Sequence, residues 1–222
     1  MKDSILINGK SFSFERQSWR HEVGNVIDKS VAVECLSLVS SVFKAANINA
    51  FLLWGTLLGA IRDDDFISHD YDLDLGILWH DEEKLKSLIP KLYEMGFIIC
   101  RYKNHSIYSF NYKGLDCDID VFTKPCFPYS FRYLRVYEQF IPKRFFTHFK
   151  EILFHDIQFY VPVLPEKFLC YAYGKEWKKP QKGKSGRVAP KWMVIERLIY
   201  KINRKMRYIR FKYFDYDDPD FY

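Results

Sequence analysis

The segment Asp72–Trp79 reads Asp-Leu-Asp-Leu-Gly-Ile-Leu-Trp. Successive side chains of a strand point to opposite sides. Leu73, Leu75 and Ile77 therefore share one face, and Asp72, Asp74 and Gly76 share the other. The first face needs a core. The second needs an answer to its charge, because it carries none of the Lys, Thr or Ser that usually accompany acids on a solvated strand. Leu115–Phe122 repeats the pattern, with Asp116, Asp118 and Asp120 on one face. The second strand could pair beside the first.

The surrounding elements make the class mixed α/β, an α+β arrangement around a mixed sheet. Asn8-Gly9 between two short apolar runs predicts a hairpin over Ser4–Phe14. A broad apolar stripe predicts a helix from Trp19 to Ala46. Ala50–Trp54 reads as a buried strand, and Thr56–Arg62 as one or two helical turns. Glu82–Met95 is an amphipathic helix closed by Gly96. Phe97–Tyr102 and Ser106–Tyr112 read as strands, and Phe131–Phe149 is ambiguous. Ile152–Val163 reads as a strand pair turning at His155-Asp156. Pro165–Tyr173 suits a short helix with Pro in its first turn. A basic Gly/Pro/Ser loop follows, then an amphipathic helix over 191–213.

Charge is unevenly spread. The net formal charge is +6, yet Asp63–Asp74 holds six Asp and no Lys or Arg, while Lys191–Lys212 holds eight Lys/Arg and one Glu. A basic protein attracts anions such as nucleotides or phosphorylated glycans. An acidic segment repels them unless a cation intervenes. Five cysteines without a CxxC pair argue against a disulfide framework and a structural zinc site. No continuous apolar stretch near the N-terminus marks a signal peptide, and the most apolar run, the twelve residues Ala50–Ile61, is too short to cross a bilayer.

Asp72 and Asp74, two residues apart on a strand, have Cα atoms about 6.5 Å apart. Carboxylates at that spacing can reach one divalent cation or flank a pair. Mg²⁺ would relieve their repulsion and accept phosphate oxygens. A helix beginning at Gly55-Thr56 would aim its first amides at a phosphate, with Gly55 allowing close approach. Asp120 can supply a third carboxylate, as a ligand of a second metal or as acceptor of a hydroxyl proton.

Phe51-Leu-Leu-Trp-Gly-Thr-Leu-Leu-Gly-Ala-Ile-Arg62, then Phe66-Ile67 and His69-Asp-Tyr-Asp-Leu-Asp74, resembles the LicD family, which includes fukutin and fukutin-related protein. Asp120-Val121-Phe122 is similar to an intervening strand of that family. Val161-Pro-Val163, Pro165-Glu166, Phe168-Leu169 and Tyr173-Gly-Lys-Glu-Trp177 are similar to its strand-then-helix ending.

The resemblance implies a nucleotidyltransferase-like core over 21–164, between an N-terminal hairpin at 1–20 and a helical part at 165–222 packed on the core. It implies transfer of a phosphorylated small group, such as phosphocholine or an alditol phosphate, from a CDP-activated donor to a hydroxyl of a glycan or lipid-linked glycan. Asp72, Asp74 and Asp120 would be the acids and the ligands of Mg²⁺ (or Mn²⁺), and Gly55 and Thr56 would hold donor phosphate. Arg62 would pair either with that phosphate or with acids of the turn. His69 and Tyr71 stand where the family often has Trp and another Asp; His69 can contact donor or acceptor.

The basic loop carrying Lys178, Lys179, Lys182, Lys184 and Arg187 can cover the donor or remain solvated. The basic helix at 191–213 can dock on the core, or lie as a peripheral contact on an anionic membrane. No nucleic-acid motif exists beyond charge. A bacterial cytoplasmic enzyme of surface-polysaccharide synthesis is the expectation from the family. Two other readings stay open: attachment of NMP to a small molecule, protein or RNA, and a non-catalytic glycan- or nucleotide-binding protein. Asp70 and Asp118 remain additional candidates.

Overall fold

A computed structural model describes residues 2–7, 9–15, 26–125, 127–137 and 139–180, together with Leu198 and Ile202. Lys182, most of the basic loop and, apart from Leu198 and Ile202, the helix expected over 191–213 lie outside this set.

The chain opens with a hairpin of β1 (Lys2–Ile7) and β2 (Lys10–Glu15). It packs beside the main sheet: the Tyr102 hydroxyl donates to the Ser4 carbonyl at 3.1 Å, and Phe14 meets the Tyr102 ring edge-on. Helix α1 spans Lys29–Ala45, a later start than the apolar stripe predicts. The reason is Asp28. Its side chain accepts from the amides of Ser30 at 2.9 Å and Val31 at 3.3 Å, an N-cap that sets the first turn there. Residues 26–28 are accordingly non-helical.

Seven strands form the main sheet. They are β3 (Phe51–Leu52), β4 (Asp72–Leu78), β5 (Ile98–Lys103), β6 (Ile107–Tyr112), β7 (Leu115–Phe122), β10 (Phe149–Phe154) and β11 (Ile157–Pro162), and a separate hairpin, β8 (Tyr133–Val136) with β9 (Gln139–Pro142), fills the interval between β7 and β10. The sheet order is β10-β11-β3-β4-β7-β6-β5. The β11/β3 and β4/β7 pairs are parallel and the others antiparallel, so the sheet is mixed. The remaining helices are α2 (Trp54–Arg62), α3 (Glu82–Glu94) and α4 (Pro165–Tyr173). Among the described residues, no helix is long and apolar enough to cross a membrane.

The two faces of the sheet differ as the alternation requires. Leu73, Leu75, Ile77, Cys117, Ile119 and Val121 are all buried on one side. Helix α1 covers that side, with Cys35 hydrogen-bonded to Cys117. The other side is acidic at one end and aromatic at the other. There Phe51, Phe122, Phe146 and Phe149 stack together, and Phe168 of α4 packs on Trp54 and Phe146.

Gly76 marks the boundary between these halves. A Cβ on it would stand 2.3–3.0 Å from three atoms of the Phe51 ring. That ring is fully buried against its aromatic neighbours, so it has no room to withdraw. Gly76→Ala is expected to destabilise the protein by about 1–3 kcal/mol through overpacking. A thermal melt within a degree of wild type would contradict this.

Candidate active site

The parallel pairing of β4 with β7 sets Asp72 opposite Asp116, Asp74 opposite Asp118, and Gly76 opposite Asp120. Adjacent strands lie about 4.8 Å apart. Two acidic strand faces that sit 44 residues apart in the chain thus become one acidic surface. Asp70, just before β4, joins it by sharing a hydrogen bond with Asp72.

The surface is crowded enough to alter its chemistry. Burial, then the charges of Asp70 and Asp118, pushes the Asp72 carboxyl up to about 8. The Asp70–Asp72 hydrogen bond lowers the Asp70 carboxyl and raises that of Asp72. Asp74 is held well above the usual carboxylate range by burial and by Asp72, Asp120 and Asp118. Asp70 is raised by burial, which outweighs its hydrogen bonds.

Helix α2 reaches this surface from β3 through a sharp turn. Trp54 has φ +37°, a left-handed conformation that costs a non-glycine residue of order 1 kcal/mol. The turn directs the buried indole at Asp120: Nε1–H donates to Oδ2 at 2.8 Å. Tyr137, at the turn between β8 and β9, donates its hydroxyl to the other oxygen, Oδ1. Asp120, 1% exposed, is therefore gripped from two elements.

Gly55 is where α2 comes closest to the acids. Its amide donates to Asp74 Oδ2 at 3.0 Å, and a Cβ there would lie 2.4 Å from Asp70 Oδ2. The helix begins at Trp54 and its first turn lies over β4, which brings this amide to the protein's own carboxylate. Thr56 is likewise committed. It is buried, and its Oγ1 accepts from the Asp74 amide at 2.8 Å, tying α2 to β4.

Arg62 forms a two-pronged pair with Asp63, Nε to Oδ1 at 2.8 Å and Nη2 to Oδ2 at 2.7 Å, which matches the second of its two readings. His69 is exposed, near enough for its charge to favour the Asp70 carboxylate. Among the described residues, no three His, Cys, Asp or Glu side chains stand as a finished cation site. Asp72 and Asp74 come together with Asp70, while Asp120 faces Trp54 and Tyr137.

Residues 47–163, just over half of the chain, match the family described as LicD/FKTN/FKRP, nucleotidyltransferase domain. The chain belongs to the LicD family. Two curated relatives are uncharacterised Rickettsia proteins. The one from Rickettsia prowazekii (strain Madrid E) is 28% identical over 137 residues, covering 60% of this chain and 50% of its own length. The one from Rickettsia typhi (strain ATCC VR-144 / Wilmington) is 33% identical over 140 residues, covering 60% and 42%. The chain thus spans about half the length of the curated relatives it matches. Two solved structures are similar in shape. The lincomycin-bound lincosamide antibiotic adenylyltransferase LnuA aligns with TM-score 0.45 and 14% identity, over 65% of this chain and 86% of that one. The antibiotic-resistance factor ANT(2'')-Ia aligns with TM-score 0.48 and 12% identity, over 84% and 98%.

The LicD match includes α2, β4 and β7, and sequence reasoning found the acids on them. It missed the residues that the fold adds. Arg101 of β5 is one. Strand register places Arg101, Ser109, Asp118 and Asp74 in a row across four strands. The guanidinium donates to Ser109 Oγ at 3.2 Å and to Asp118 Oδ2 at 3.0 Å, answering part of the acidic charge. Asn111 does the same for Asp116, from Nδ2 to Oδ1 at 2.8 Å. Tyr137 is another. No local pattern marks it; its role depends on where a hairpin folds back. The i+2 spacing of polar residues along β6 was the available signal for Ser109 and Asn111.

Proposed function

We propose that this LicD-family chain is a metal-dependent phosphotransferase that moves a phosphorylated small group, such as phosphocholine or an alditol phosphate, from a CDP-activated donor to a glycan hydroxyl. Family membership supports transferase chemistry. The observation that carries the reading is the dense carboxylate surface of Asp70, Asp72 and Asp74 beside a separately gripped Asp120.

Those oxygens suit a hard divalent cation, Mg²⁺ or Mn²⁺. Carboxylates this close hold protons unless a cation displaces them. Asp72 and Asp74 would be its ligands, with Asp70 adjoining. Bound there, the cation would neutralise charge on the donor's phosphoryl oxygens.

The protein's own groups supply the rest. Gly55 and Thr56 hold Asp74 in place through an amide and a hydroxyl. Trp54 and Tyr137 orient Asp120 by donating to its two oxygens. Asp120 accepts the acceptor's hydroxyl proton as that oxygen attacks phosphorus in line. The new bond joins acceptor oxygen to phosphorus, the bond from phosphorus to CMP breaks, and CMP leaves with the electron pair. Arg101 restrains Asp118 and limits the negative field that the donor meets.

The family's domain class favours a second reading, transfer of NMP itself. Product mass separates the two, because they attack opposite sides of the diphosphate. We expect CDP conjugates with Mg²⁺ to raise the melting temperature, in proportion to RT ln(1 + [L]/Kd). We expect the product to be the acceptor plus the phosphorylated group, with CMP released. An acceptor carrying NMP would establish the second reading. No Mg²⁺-dependent shift with any nucleotide would remove both.

A further inference from the structure

We infer that the loop between β7 and β8 is a docking surface for anionic lipid bilayers. Most exposed apolar side chains in the described residues, such as Leu6 and Leu153, lie on separate elements. Phe127 and Phe131 are different. They are 69% and 73% exposed, and their rings meet edge-on at 5.6 Å. Two large aromatic rings projecting side by side into water mark an interaction site.

The surroundings say which partner fits. Residues 124–144 contain five Lys/Arg and one Glu. Of these, Lys124, Arg132 and Arg144 are exposed, and the Lys143 amide donates to the Arg132 carbonyl at 2.8 Å, which brings the backbone of these two basic positions together. A protein partner of ordinary composition needs no such bias. Exposed aromatic rings on a cation-rich segment suit an acidic lipid surface, where rings enter the headgroup boundary and Lys/Arg meet anionic heads.

The platform is built. Tyr129 and Tyr133 pack on Phe140 behind the exposed pair. Tyr171 of α4 donates to the Phe140 carbonyl at 2.9 Å. Thr123 and Arg135 exchange backbone hydrogen bonds of 2.8 Å, fastening the hairpin to the end of β7. The same hairpin carries Tyr137 into the acidic site. The docking itself does not depend on the identity of the donor.

The test is flotation of the full chain with vesicles of phosphatidylcholine alone, or with about one third phosphatidylglycerol added. Wild type is expected to bind the anionic vesicles and to leave them at about 0.5 M salt. Phe127→Ser/Phe131→Ser is expected to weaken binding at least tenfold, with an unchanged melting temperature. Arg132→Glu/Lys143→Glu, which keeps both rings, is expected to weaken it comparably. Failure of wild type to float with anionic vesicles overturns the inference. So does undiminished binding by the aromatic variant, which would move the contact to 191–213. Loss of a wild-type dimer in that variant, without vesicle binding by either, would make the pair a protein contact instead. None of these outcomes bears on nucleotide binding, so the docking and the proposed reaction stand or fall separately.

Discussion

Asp120→Asn is expected to lower turnover by about 10²–10⁴-fold while leaving the fold intact. The retained fold follows from the chemistry of its two partners. Asparagine can still accept from the Trp54 indole through its oxygen. Its amide can donate to Tyr137, whose hydroxyl either donates or accepts. The packing around a 1%-exposed side chain is thus preserved, and what disappears is the negative charge and its basicity. Product formation measured by mass spectrometry, beside a thermal melt, separates the two effects. Turnover within threefold of wild type, with a normal melt, would remove Asp120 from the reaction.

Asp72→Asn is expected to stabilise the cation-free protein at high pH and to abolish stabilisation by Mg²⁺. In the unfolded chain Asp72 releases its proton near 3.8, and in the folded chain near about 8. Between those values the folded protein holds the extra proton. Raising the pH therefore shifts the balance toward unfolding: stability falls from about pH 4 to about pH 8 and is level above. One proton corresponds to about 1.4 kcal/mol per pH unit, an upper limit because solvent reaching the partly exposed carboxyl screens its neighbours. Asp70 and Asp74, also raised, act in the same direction. The substituted asparagine would donate to Asp70 as the protonated Asp72 does, without ever ionising. Denaturant melts in EDTA at about pH 5 and about pH 9 should show a steeper loss in wild type than in the variant. Parallel losses would mean that Asp72 does not carry the proton assigned to it.

Much of the site was legible because strand alternation is a local rule. Asp72, Asp74, Asp118 and Asp120 could each be placed on an acid face from their neighbours alone, as could the apolar face behind them. The short helix Pro165–Tyr173 and the strand pair turning at His155-Asp156 came out at or near their boundaries for the same reason. The start of α1 did not, since an apolar stripe tells which face is buried but not where the helix begins; the Asp28 side chain decides that. The stretch Phe131–Phe149 stayed ambiguous because its hairpin draws its stability from the end of β7 and from Phe140 packing, not from its own pattern.

By itself, then, the sequence determined the family, the mixed α/β class, and which carboxylates could share a surface. All of these follow from residue type and from spacing within a few positions. The tertiary structure alone decided how those carboxylates are occupied. Register across β5, β6, β7 and β4 brings Arg101 and Ser109 to Asp118. The turn at Trp54 sets the Gly55 amide on Asp74 and the indole on Asp120. A hairpin folded back from β7 adds Tyr137. Each of these contacts joins residues from separate elements, between 8 and 66 positions apart. Hydrogen bonds and charges act over a few ångströms of space, and only the packed chain makes such distances short.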